Sequence, residues 1–235
     1  MAKTAEKDRK ARVEQMRKAQ EAAERRRTLL VVGAAVLAVL VLTGVVVKVV
    51  RDAQADRDPA TVGVAAAAAA CDPVTTDPVT GSGVHVGPQT DQPTVTKVPY
   101  KTVPPTSGEH FVSPAYPARA FYTKDDRPAM EALVHNLEHG YTVVWYTSAT
   151  PQAQVDQLKK ISDQVRSMSE TGGGKFGVSA WDDAYGTFPS GKTIGVSHWG
   201  AKNGHRLLCG AVSGAAIKSF VTSYPSTDAP EPNGA

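Results

Sequence analysis

His135 and His139, four positions apart in LVHNLEHG, have a spacing that can do chemistry. On a helix they share one face, and two imidazoles at i and i+4 can hold one metal ion without moving the backbone. Glu138 completes the pattern H-x-x-E-H, in which two histidines carry zinc and the glutamate activates a water. A second source of ligands is PPTSGEH at 104–110. Its two prolines stiffen the chain, Gly108 permits a positive φ, and His110 emerges preorganised at the end of the turn. His85, in VHV at 84–86, is a further candidate. The expected metal ligands are therefore His110, His135, His139 and His85, with Glu138 orienting a ligand or acting as the one catalytic base. Neutral imidazoles suit Zn(II), Cu(II) or Ni(II), so a divalent metal, Zn or Cu, is the expected cofactor. With only two cysteines there is no thiolate cluster for a structural zinc finger.

Any single histidine more often satisfies a hydrogen bond in a polar core, and His198 and His205 are read that way. SGKT at 190–193 lacks the upstream glycine and following helix of a phosphate loop. The chain contains no G-x-S-x-G, no C-x-x-C and no dinucleotide fingerprint.

The elements that must position these residues can be read from pattern. Pro128 can occupy the first turn of a helix that carries His135 and ends at Gly140, a natural C-cap. The continuous apolar run YTVVWY (141–146) follows as a buried strand. Thr150-Pro151 opens the next helix, with Thr150 as its cap and Val155, Leu158, Ile161 and Val165 at helical spacing. FGVSAW (176–181), TIGVSHW (193–199) and RLLC (206–209) read as strands, and AAIKSFVTSY (215–224) as a last amphipathic helix. Seven prolines between 73 and 105 exclude helix there and leave turns and edge strands. The expected class is α+β: one extracytoplasmic domain with a small mixed sheet and two or three helices, preceded by a single transmembrane helix.

The charge distribution gives the address. The formal net charge is +3, yet residues 1–27 hold ten basic and five acidic side chains, while residues 51–235 hold fifteen and eighteen. Thr28 to Val47 is twenty residues without a charge, enough to cross a hydrocarbon core of ~30 Å. The arginines before that run favour a cytoplasmic N-terminus, with the large C-terminal part outside. A cleaved signal peptide, with AQA at 53–55 as its site, is the rival; the charged lead and the apolar run are both too long for one. The organisation follows as a basic cytoplasmic segment 1–27, a transmembrane helix 28–50, an Ala-rich stalk 51–70, the folded domain 71–225 and a disordered tail 226–235. The expected partners are the membrane and possible membrane-complex subunits. A mildly acidic folded part argues against nucleic acid. Outside the cell, Cys71 and Cys209 read as a disulfide, against the alternative of two free thiols.

PPTSGEH (104–110) followed by LVHNLEHGYTVVWY (133–146) resembles the motif pair of the family called domain of unknown function 3105. The surroundings of Cys71 with the His85 segment, and HWGAKNGHRLLC ending at Cys209, are similar too, so the resemblance spans about residues 71–231. It implies a membrane-anchored or secreted domain with motif histidines at His110, His135 and His139, with Glu138, and at His85. Glu109 departs from the proline this turn more often carries. The family supplies no reaction. Three functions stay open: a metal-binding domain, an accessory or scaffold subunit of a larger membrane complex, and a metal-dependent hydrolase using H-x-x-E-H.

Overall fold

A computed structural model describes residues 2–55 and 57–234; Met1, Asp56 and Ala235, which fall within the expected lead, stalk and tail, lie outside the described residues. The chain divides into two units, Met1–Ala55 and Asp56–Ala235.

The first unit is one helix, α1 (Ala2–Ala55), so helix runs through the basic lead and to residue 55 rather than over 28–50 alone. Within it lies a stretch apolar and long enough to cross a membrane. The side chains of that stretch, Leu29, Leu37 and Leu40 among them, are exposed, as a lipid-facing surface would be.

The second unit is α+β. In chain order come β1 (Thr75–Pro78), β2 (His85–Val86), β3 (His110–Phe111), β4 (Phe121–Tyr122), α2 (Met130–Glu138), β5 (Thr142–Tyr146), α3 (Gln152–Arg166), β6 (Phe176–Ala180), β7 (Ile194–Trp199), β8 (Asn203–Cys209) and α4 (Gly214–Ser223). Six strands form one mixed sheet in the order β1-β8-β7-β5-β6-β4. β5 and β6 are parallel with α3 as their crossover, whereas β7 and β8 are an antiparallel hairpin beside β5. β2 and β3 make a separate two-stranded parallel pair.

Because side chains alternate across a strand, β5 serves two cores. Val144 and Tyr146 face a layer containing Leu158, Ile161 and Val165 of α3 and Ile217, Phe220 and Val221 of α4. Val143 and Trp145 face the other layer, with Leu133, Val134 and Leu137 of α2 and Trp199 of β7. Helices therefore lie against both faces of the sheet, with α2 in the second layer beside loop residues such as Ala115 and Trp181.

Local capping differs from the pattern reading in two places. α2 begins at Met130 after Ala129, leaving Pro128 outside it. α3 begins after Pro151, and the Thr150 hydroxyl donates to the Thr193 carbonyl at 3.2 Å instead of capping the helix. The end of α2 is as expected. Gly140, at φ 89, lets its N–H bond Leu137 O at 2.9 Å while Tyr141 N–H reaches Asn136 O at 3.0 Å. This pair of bonds is a Schellman ending.

Two segments expected to be loose are packed. The second half of the 51–70 stalk belongs to the folded unit: Val62 joins the apolar core, Ala69 is fully buried, and Val64 N–H bonds Val212 O at 2.9 Å. The Ala69 carbonyl accepts from the N–H groups of both Gly210 and Ala211. Cys71 and Cys209 form a disulfide that ties this segment to β8. The tail beyond Pro225 also docks, with Ser226 and Ala229 buried.

Candidate metal centre

The polar residues of α2 are the starting point. All nine of its residues are buried, and four of them are Glu131, His135, Asn136 and Glu138. A buried polar group needs a partner, since leaving one unpaired costs ~1–3 kcal/mol. Three of the four find partners outside the main sheet. Glu131 accepts from Val98 N–H at 2.8 Å and from the Tyr185 hydroxyl at 2.9 Å. Asn136 accepts from Ala115 N–H at 2.9 Å. His135 donates from Nδ1 to the Phe111 carbonyl at 2.6 Å.

Glu138 is only half satisfied. Its Oε1 accepts from Gly83 N–H at 2.7 Å and from the Ser82 hydroxyl at 3.0 Å. Its Oε2 lies 3.0 Å from His110 Nε2, both side chains being fully buried, yet neither atom has a partner in hydrogen-bonding geometry. His110 is fixed by its other nitrogen, which donates from Nδ1 to the Gly108 carbonyl at 2.8 Å. Gly108 sits at φ 149 in the turn, and the Val103–Pro104 bond is cis.

The three imidazoles close around these atoms. The parallel pairing of β2 with β3 puts His85 directly beside His110. Their ring centroids are 4.9 Å apart, with His85 to His135 at 5.1 Å and His110 to His135 at 4.7 Å. One donor atom from each of His85, His110, His135 and Glu138 lies within 4.8 Å of every other. The ring of Trp199 walls the site, 5.8 Å from His110 and edge-on to it.

Tautomers are set by the backbone. With Nδ1 of His110 and of His135 each donating to a carbonyl, Nε2 of each is the nitrogen left for a ligand. Burial pushes the His135 imidazole down to about 4, and the neighbouring His110, His139 and His85 rings add to that against the Phe111 carbonyl. The ring is therefore neutral near pH 7, the form that binds a metal. For Glu138 burial acts upward, whereas the hydrogen bonds from Gly83 N–H and the Ser82 hydroxyl favour the carboxylate and act downward.

The convergent set differs from the sequence-based one by a single exchange. His85, His110 and His135 come together, Glu138 joins them as a donor, and His139 stands outside the four. α2 ends at Glu138, so His139 is its C-cap rather than a residue of a continuing face. Its Nε2 lies 3.1 Å from His135 Nε2 and 3.4 Å from Glu231 Oε2. His198 donates from Nε2 to Asp228 O at 2.8 Å and has the Thr142 hydroxyl 3.2 Å from Nδ1. His205 stacks on Tyr224 at 3.8 Å. Pattern reasoning missed Ser82, Gly83, the Gly108 and Phe111 carbonyls and Glu231. Most of these act through the main chain, which leaves no residue-type signal.

The family model described as a protein of unknown function, DUF3105, matches residues 91–235. The match takes in His110, His135, Glu138 and His139, and starts after Cys71 and His85, later than the 71–231 expected from the motifs. No curated protein and no solved structure matches the chain. With more than half its length matched, both central motifs included, the chain belongs to the DUF3105 family.

Proposed function

We propose that this chain is a single-pass, membrane-anchored protein whose extracytoplasmic domain binds one transition-metal dication, Zn(II) or Cu(II), through His85, His110, His135 and Glu138. One observation carries the reading: two fully buried acceptors, His110 Nε2 and Glu138 Oε2, face each other at 3.0 Å without a hydrogen bond. Two donors of one tetrahedral ion at ~2.0–2.1 Å lie about 3.3 Å apart, close to that spacing. Donors on a shared ion are at most about 4.2 Å apart, so the widest pair of the set closes by some tenths of an ångström on loading. Three imidazoles with one carboxylate suit Zn(II) or Cu(II) better than Mg(II) or Ca(II), which prefer all-oxygen sites.

The address rests on α1 and the disulfide. The apolar stretch with arginines before it favours an N-terminus inside, and a disulfide persists on the oxidising side. Burial of Glu138, with Oε1 already accepting two hydrogen bonds, favours holding a metal over activating a water, so the hydrolase reading is the weaker one. An accessory role in a membrane complex is compatible with the same centre, and crosslinking in native membranes tests it: no reproducible partner counts against it.

The decisive experiment is elemental analysis of the untagged full chain purified in detergent, paired with its thermal midpoint. About one equivalent of Zn or Cu, or a rise in the midpoint when either is added to chelated protein, is the expected result. A chain that retains neither metal and gains no stability from either would sink the reading.

A further inference from the structure

The segment after α4 crosses the end of the helix that supplies two of the four donors. The last carbonyls of a helix have no partner within it. Here Glu231 N–H bonds the Glu138 carbonyl at 3.0 Å, and Gly234 N–H bonds Glu231 O at 3.0 Å. The Lys175 ammonium gathers three carbonyls, those of His139 at 2.8 Å, Pro232 at 2.7 Å and Gly234 at 2.9 Å. Gly234 packs so closely on the His139 ring that a Cβ there would clash with it. Residues 226–234 are therefore a strap, tied to the main chain of Glu138 and His139.

His139 stands between strap and donors. Its Nε2 is 3.1 Å from His135 Nε2 and 3.4 Å from Glu231 Oε2. His135 already carries its proton on Nδ1, which donates to Phe111 O, so its Nε2 is a lone pair. The proton in the contact between the two rings belongs to His139. One N–H thus faces two acceptors, an imidazole that is a metal ligand and a carboxylate on the strap.

We propose that the metal decides which acceptor that N–H serves, making the strap a clamp that responds to metal occupancy; this rests on the metal-binding reading above. When His135 Nε2 gives its lone pair to a metal, it stops accepting from His139. The His139 N–H then turns to the Glu231 carboxylate and draws the strap onto the helix end. The dication adds its own attraction for that carboxylate. Coupling of this kind is reciprocal: metal tightens the strap and the docked strap raises metal affinity by the same factor.

Hydrogen exchange of the Glu231 and Gly234 amides tests this in the full chain in detergent, with Zn(II) and Cu(II) added separately or removed by chelator. In wild type, saturating metal should slow exchange of both amides by about fivefold or more, the lower end of measured couplings. Glu231→Ala alters a side chain that is 53% exposed, so the fold should survive. It should abolish most of the slowing and weaken metal affinity by a similar factor. Metal binding with unchanged strap exchange, or a Glu231→Ala chain that responds as wild type does, overturns the clamp and leaves the metal centre standing. A wild-type chain that binds neither metal overturns both.

Discussion

α2 and α3 lie against opposite faces of the same sheet and are held there by different physics. α3 has fifteen residues, of which Leu158, Ile161 and Val165 are the buried apolar ones, and its outer face is charged and solvated. α2 has nine residues, every one buried, and places Glu131, His135, Asn136 and Glu138 out of water. α3 is fixed by apolar area and would tolerate other apolar residues of similar volume. α2 instead draws Val98, Phe111, Ala115 and the Ser82–Gly83 turn around itself, each through a polar group buried in the helix. Where the chain supplies a partner, the buried group stabilises the fold. At His110 Nε2 and Glu138 Oε2 the chain supplies no such partner, and these are the atoms between which the proposed ion would sit.

This contrast predicts that damage to the two sides separates. Ile161→Ala empties core volume under α3 and should lower stability by ~2–5 kcal/mol in denaturant unfolding. Below its melting point this variant should bind metal as wild type does; a parallel loss of affinity would show that the two faces are not independent. His110→Ala removes a donor and should weaken metal affinity more than about a hundredfold, beyond the loss typical of residues that only orient a ligand. Competition against a chelator measures this, and an affinity within tenfold of wild type would remove His110 from the ligand set.

The pH dependence of the metal-free chain tests the same side of the molecule. Folding holds the His135 imidazole down to about 4 from its ordinary 6.5, so between those values the unfolded chain binds more protons. Stability from this group is complete above pH 6.5 and is lost as pH falls towards 4. Urea midpoints in chelator should therefore fall between pH 7 and pH 5, by a stability loss of about 1–2 kcal/mol. His198 and His205, also pushed down by burial, act in the same direction, so a flat profile would mean that none of the three is held as a buried neutral ring. The smallest effect belongs to Ser82→Ala, which removes one of two hydrogen bonds to Glu138 Oε1 and should cost about tenfold in metal affinity with little change in stability. An unchanged affinity would mean that Gly83 alone orients the carboxylate.

Strands and helices on the α3 side were legible because periodicity and apolar burial are properties of residue type. YTVVWY became β5 and TIGVSHW became β7 within a residue at each end. The helix carrying His135 was legible for the same reason, and Gly140 marked its end. The run of alanines at 65–70 reads as a spacer because alanine has no side chain to announce a partner. Within it Ala69 is the buried residue, held by main-chain contacts that only the fold creates. The proline-rich tail misleads similarly, since Lys175 holds it through carbonyls. At the site, the histidine types pointed to the place, but convergence depends on a two-residue pairing between His85 and His110, distant in sequence. That Glu138 rather than His139 converges with the three histidines depends on where α2 stops.

The disulfide has one more consequence. By joining Cys71 to Cys209 it turns the intervening chain into a covalent ring, and His85, His110, His135 and Glu138 are all inside it, as is Lys175. Glu231 and the strap are outside. A protease that nicks the ring once leaves both pieces joined and the donors in one molecule. One that trims the C-terminal end removes the segment around Glu231 and spares all four converging side chains. The four converging side chains are thus held in one molecule by a covalent tie that the segment crossing the end of α2 lacks.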